Sequence, residues 1–98
     1  MKYNVAVLLL ASSDLQEIYE SLYDFGENPP KKFRESFDKF IASVSNMPYM
    51  FSEYERNPKY RKATLAYEYL AFYRVDEKNN MVKLYRILHG KRNIENLL

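Results

Sequence analysis

The chain has 98 residues, 47% of them hydrophobic and 29% charged, which describes one packed domain and excludes both a disordered tail and two independently stable halves. It has no cysteine, so a disulfide, a thiol nucleophile and a thiolate-bound zinc are excluded. The net charge of +2 conceals an asymmetry: residues 1–56 hold six Lys and Arg against nine Asp and Glu, whereas residues 57–98 hold nine against four, which makes the C-terminal half the surface for an anionic partner.

The opening "YNVAVLLL" is β-branched and apolar on both parities, so it predicts a strand over residues 3 to 9 that is central in its sheet or covered on both sides. Its apolar run is short for a secretory leader and leads directly into helix-forming sequence, so a cytoplasmic setting is expected. No stretch approaches the roughly 20 apolar residues of a membrane span, and no membrane partner is expected. Ser13 followed by Gln16 reads as a capping box, with Asp14 and Glu17 in the first turn. Leu15, Ile18, Tyr19, Leu22 and Tyr23 then recur at helical spacing, and Gly26 offers a left-handed stop.

Asn28-Pro29-Pro30 predicts a second helix, capped by Asn28, because proline fits a first turn whose N–H groups have no helical partner. Phe33, Phe37, Phe40, Ile41 and Val44 form its inner stripe, and Met47-Pro48 ends it. Residues 47 to 59 have no period and read as a long loop. Three strand signals follow, "YRKATLAY", "YLAFYRV" and "MVKLYRILH", the last two joined by the polar turn "DEKNN" as a hairpin. The final "KRNIENLL" fits a short helix or a loose tail. The order predicts one two-layer α+β domain over residues 1–98: an N-terminal strand, an antiparallel helix hairpin, then a C-terminal antiparallel strand meander forming one sheet, its outer face partly open.

With Gly26 and Gly90 as the only glycines, neither a P-loop nor a dinucleotide fingerprint can be written, and no cofactor is expected. A Ser/His/Asp triad would have to use His89, the single histidine. Metal ligands would have to be carboxylates, and Asp76-Glu77 and Glu53-x-Glu55 read as solvated charges, so no metal is expected. What remains is a basic set, Arg61, Lys62, Arg74, Arg86, Lys91 and Arg92, interleaved with Tyr67, Tyr69, Tyr73 and Tyr85. Clustered cations bind phosphates or acidic surfaces and tyrosines stack bases, although the same types also suit a half-buried sheet face. Strict alternation would put Val82, Leu84, Arg86 and Leu88 on one face of the last strand, opposite Lys83, Tyr85, Ile87 and His89; both sets contain apolar residues, so pattern alone does not assign the inner face.

The segment "YLAFYRVDEKNNMVKLYRILHGKRN" resembles the RelE/ParE family of toxins from bacterial toxin-antitoxin pairs, and its "FYRVD" strand and "RILHGKR" ending resemble the ParE-like branch. The resemblance implies a cytoplasmic toxin with a role in plasmid stabilisation, neutralised by a cognate antitoxin that wraps it. ParE-like members inhibit DNA gyrase by protein-protein docking, whereas RelE-like members cut mRNA on the ribosome, so gyrase is the expected target and the ribosome with its mRNA the alternative; a weakly toxic or inert relative is a third reading. The residues that resemble the RelE-like nuclease set are incomplete: Arg61 and Arg92 match it, but Ala63, Leu70 and Leu98 stand where a second basic residue, an arginine and a tyrosine are expected. For a nuclease the candidate set is Arg61, Arg86, His89 and Arg92, with His89 as the acid; for a docking toxin the target-binding surface is Arg61, Lys62, Arg74, Arg86, His89, Lys91 and Arg92.

Overall fold

The computed structural model describes residues 2–98. In chain order it comprises strand β1 (Asn4–Val7), helix α1 (Leu9–Tyr23), helix α2 (Asn28–Asn46), strands β2 (Arg61–Thr64), β3 (Tyr69–Asp76) and β4 (Met81–His89), and a last helical turn, α3 (Ile94–Leu97). The four strands form one sheet in the order β1-β4-β3-β2, with β2, β3 and β4 antiparallel and β1 parallel to β4. This is the expected two-layer α+β arrangement.

The first strand corrects the expectation of a central, doubly covered element. β1 is four residues long and lies at the sheet edge, its last ladder pair being Val7 with Leu84. Leu8 ends the strand and starts the helix at once: its N–H donates to the Leu84 carbonyl at 3.0 Å, and its own carbonyl accepts from the Ser12 N–H at 2.9 Å. Ser13 therefore lies inside α1 and caps nothing, and the apolar Leu9 and Leu10 are left 84% and 58% exposed. The second cap also moves by one residue: Glu27 holds the cap position of α2, Asn28 is already helical, and Pro29 fits the first turn. Gly26 takes the expected positive φ, at 108°, in the turn between the helices.

One face of α1 and one of α2 pack on the sheet. Ala11, Ile18 and Leu22 meet Phe33, Phe40 and Val44 above Ala63, Ala71, Tyr73, Val82, Leu84 and Ile87, all buried. Phe33 sits edge-on to Tyr19 and to Tyr69 with centroids 5.5 Å away in each case, and Phe40 packs edge-on to Tyr73 at 5.7 Å. Edge-to-face contacts of this kind add about 0.5–1.5 kcal/mol to the burial of each ring.

A β-bulge decides which residues of β4 face the helices. Phe72 pairs with Arg86 but Tyr73 pairs with Leu84, so Tyr85 has no partner opposite it. The extra residue breaks the two-residue alternation. Val82, Leu84 and Ile87 therefore join the helix-side core, while Leu88 turns to the other face with Phe72.

The outer face is more covered than the sequence suggests. Phe72, Leu88 and Ile94 form a second small core, roofed by α3 and by the 47–60 loop through Tyr54 and Tyr60. That loop is fastened by Lys62 N–H to the Ser52 carbonyl at 3.1 Å and by Tyr54 N–H to the Tyr60 carbonyl at 2.8 Å. Beside this roof the face stays open towards the β3–β4 turn and at a groove lined by Lys62 and Leu70.

Candidate functional site: a mixed-charge groove at the C-terminal corner

Because β1 stops opposite Leu84, the outer edge of β4 beyond that point has no strand to pair with. Asp14, one α1 turn further on, supplies the missing acceptor. Its Oδ2 takes the Ile87 N–H at 2.9 Å and the Arg86 Nε–H at 2.8 Å, and its Oδ1 takes the Arg86 Nη2–H at 3.0 Å. Arg86 Nη1 donates to the Leu97 carbonyl at 3.0 Å, which ties α3 to the same point. With side chains only 15% and 8% exposed, Arg86 and Asp14 form a fixed pair, and the carboxylate holds the guanidinium above its ordinary pKa. Arg86 is thus the internal brace of the corner and offers a partner no open cation.

The rest of the predicted set divides into separate places. Lys62 and Arg92 lie along an open groove of about 620 Å³ between the 47–60 loop and the segment after β4, with Tyr54, Leu70, Gly90 and Ile94 also lining it. Glu53 and Glu55 line it too, and the Arg56–Glu95 pair at 2.9 Å bridges from the loop to α3. Gly90 leaves little room for a side chain: its N–H donates to the Glu68 carbonyl at 2.9 Å, and a Cβ on it would approach that oxygen to 3.3 Å. Lys91 and Arg92 are exposed on the turn that follows.

His89 points to the helix side. Its ring stands edge-on to Tyr69 at 5.1 Å, and its Nδ1 accepts the Lys91 N–H at 3.2 Å, which leaves the hydrogen on Nε2. It lines a small crevice of about 140 Å³ with Asp14, Glu17 and Arg92, so Arg92 alone of the basic residues borders both the groove and the histidine. Arg61 lies at the β2 edge and serves the loop, donating to the Phe51 carbonyl at 2.7 Å with its guanidinium 4.9 Å above the Tyr49 ring centre. Arg74 is exposed beside Tyr60 and Tyr85. No group of three or more histidine or carboxylate side chains placed to hold a metal occurs among the described residues.

Two positions that brace the site are not legible in the sequence. Asp14 was read as a first-turn helix charge, and only its pairing with a residue 72 positions away reveals its role. Glu77, read as a turn charge, accepts the Tyr3 hydroxyl at 2.5 Å and the Tyr49 hydroxyl at 2.7 Å, clasping the residue before β1, the long loop and the β3–β4 turn together. These donors hold the Glu77 carboxyl below its usual range, and the same bond pushes Tyr49 up to about 12. Tyr73, buried and donating to the Pro48 carbonyl at 2.8 Å, is also pushed up to about 12, mainly by burial.

The sign of the pH dependence follows. Raised phenol values stabilise the fold fully below the unfolded value of 10 and lose that contribution as pH rises through about 12; the depressed Glu77 contributes above its usual range and is lost as pH falls through its lowered value. A phenolate absorbance titration should show Glu77→Gln bringing Tyr49 back towards 10 while Tyr73 stays high. An unchanged titration would mean that the clasp is absent in solution.

Comparison with known proteins places this geometry. Residues 5–94 match the model of a family described as the ParE toxin of type II toxin-antitoxin systems, parDE. No curated protein matches the chain in sequence. Among solved structures, the chain resembles one from the RelBE2 toxin-antitoxin complex of Mycobacterium tuberculosis, with TM-score 0.66 and 18% identity, over 91% of this chain and 99% of that one. It resembles one from the chromosomal ParDE system of P. aeruginosa, with TM-score 0.68 and 18% identity, over 90% and 96%. A doubly arginine-to-alanine mutant of the E. coli toxin RelE in the free state also matches, with TM-score 0.65 and 18% identity, over the whole of both chains. At that identity the structural likeness establishes the fold.

Proposed function

The chain belongs to the ParE toxin family of type II toxin-antitoxin systems, and from that premise we propose that it is a gyrase-directed toxin, neutralised by a cognate antitoxin, that works by docking and not by cutting RNA. The observation that carries this reading is the make-up of the groove. Leu70, an apolar side chain, lines it where resemblance to the RelE-like nucleases calls for an arginine, and His89, the one imidazole, faces the helix side of the sheet. In-line phosphodiester cleavage needs an acid-base pair and charge stabilisation around one phosphate, and these groups are dispersed here.

A docking toxin needs only a complementary surface. Among the described residues the ion pairs use Arg34, Arg56, Lys83 and Arg86, which leaves Lys91 and Arg92 exposed and without a carboxylate partner at the corner. The second reading, a ribosome-dependent mRNA endoribonuclease, draws on the groove that brings Lys62 and Arg92 together with Glu53 and Glu55.

Expression of the chain in a bacterium distinguishes the two. Gyrase docking is expected to stop growth with a DNA-damage response and gyrase-dependent breaks, relieved in a Lys91→Glu/Arg92→Glu variant. Codon-phased mRNA cleavage without DNA breaks would support the nuclease reading instead, and normal growth at high expression would mark an inert relative.

A further inference from the structure

The open half of the outer sheet face carries an arrangement that the groove does not use. Arg74 rises from β3 with its guanidinium carbon 5.7 Å from the Tyr85 ring centre and 6.0 Å from that of Tyr60. The two tyrosines meet edge to face, centroids 5.3 Å apart at 80°. Tyr85 follows the inward Leu84 onto this face, has no cross-strand partner, and packs against Tyr60, the residue before β2. Arg74 makes no ion pair and no side-chain hydrogen bond among the described residues, so rings alone hold it in place and its N–H groups are unused. Neither tyrosine hydroxyl has a partner among the described residues, and no buried side-chain polar atom among them is left unsatisfied, so both hydroxyls face water.

Lys62 continues the strip towards the groove. It pairs with Phe72 across β2 and β3, which makes it the diagonal neighbour of Arg74, about 7–8 Å away between backbones, and its ammonium lies 5.6 Å from the Tyr54 ring centre. Cations held by aromatic rings keep their charge and lose little freedom on meeting an anion. Of the cations nearby, Lys83 is taken by Asp76 at 3.2 Å, whereas Arg74 and Lys62 have no such partner.

We propose that Arg74, Tyr60 and Tyr85, extended by Lys62, form a binding strip for single-stranded nucleic acid. Arg74 and Lys62 take backbone phosphates, and the tyrosine rings take the faces of unpaired bases. An acidic protein segment would satisfy the cations but leave the rings without a stacking partner. Phosphate contact and base stacking are common to both sugars, so DNA and RNA strands are expected to bind alike. The inference does not rest on the gyrase reading, and its test uses neither gyrase nor ribosome.

The test is fluorescence anisotropy of the purified chain with labelled oligodeoxythymidine and oligouridine of about 12 nucleotides, within the usual site size of such surfaces. Both are expected to bind with similar affinity, and a duplex of equal length more weakly. Arg74→Gln should weaken binding about tenfold and reduce the slope of log affinity against log salt by about 0.7, the share of one phosphate contact on a single strand. Tyr85→Leu should weaken it about tenfold with little change in that slope, because it removes stacking and no charge. A thermal melt of each variant separates lost binding from lost folding, and Arg74→Lys, which keeps the charge but not the planar stack, should fall between. Equal binding of duplex, displacement by polyglutamate as effective as by oligonucleotide, a tenfold preference for one sugar, or loss confined to Arg92→Gln would each overturn the proposal.

Discussion

Replacing Asp14 with alanine is expected to cost about 3 kcal/mol or more of folding stability, the range observed when one member of a buried ion pair is removed. Three donors lose their acceptor at once: Arg86 Nε–H, Arg86 Nη2–H and the Ile87 N–H. The Arg86 charge, held in a site where its side chain is only 15% exposed, would keep the Leu97 carbonyl as its one hydrogen-bond partner. For a domain of this size each kcal/mol moves the melting temperature by about 4–8 °C, so a fall of at least about 12 °C should be seen by calorimetry. The double variant Asp14→Leu/Arg86→Met separates the pair from its surroundings. It should recover much of the loss, because two apolar side chains of similar volume replace a charge pair at little net cost. The Ile87 N–H would still lack an acceptor, so recovery should stop about 1 kcal/mol or more short of the native chain. A single Asp14→Ala variant that melts within a few degrees of the native chain would show that the corner is held by other contacts.

Phe33→Ala is the second large effect, expected at about 3–5 kcal/mol. Phe33 is fully buried and is the ring on which both layers meet, edge-on to Tyr19 of α1 and to Tyr69 of β3, and stacked at 6.5 Å on Phe37 of its own helix. Truncation leaves a cavity between rigid neighbours that close it only in part. Phe33→Leu should cost clearly less, since it keeps most of the volume and gives up mainly the edge-to-face contacts. Urea unfolding of both variants measures the difference, and equal losses would mean that the ring contacts, and not the filled volume, carry the effect at this site.

The contrast between these two residues shows what the sequence could tell. Phe33 was legible because its stripe, Phe33, Phe37, Phe40 and Val44, recurs at helical period within a single element. The hairpin was legible for the same local reason: the turn residues Asp76 and Asn79 bond to each other, at 3.2 Å through the Asn79 N–H and 2.9 Å through its side chain, and Asn80 adopts the left-handed φ that suits asparagine. Asp14 was not legible as a brace, because its meaning depends on a partner 72 residues later and on β1 ending one residue before Leu8. "VLLLASS" carries no stop signal for a strand; the switch is seen only in space, where the Leu8 N–H closes on the Leu84 carbonyl of β4 and the Leu8 carbonyl opens α1.

The bulge at Tyr85 was equally hidden, and it governs the site. With strict alternation His89 would share a face with Tyr85, and Arg86 with Leu84. The inserted residue sends Arg86 to the outer face with Phe72 and Leu88, and returns Ile87 to the core. The basic stretch "RILHGKR" reads as one cluster in sequence but is divided in space into an internal brace at Arg86, a helix-side histidine at His89 and an exposed pair at Lys91 and Arg92. Family resemblance located the stretch, and the local backbone determines which of its members can meet a partner.

The most direct measurement is a supercoiling and DNA-cleavage assay with purified chain and bacterial gyrase, run beside Lys91→Glu/Arg92→Glu and beside the Arg74→Gln variant. The native chain is expected to arrest supercoiling and accumulate cleaved DNA, and reversing the two exposed charges at the corner should abolish both while leaving the melting temperature unchanged. Full supercoiling in large excess of the native chain, together with codon-phased cutting of mRNA in a translation extract, would contradict the docking account and assign the groove to RNA cleavage.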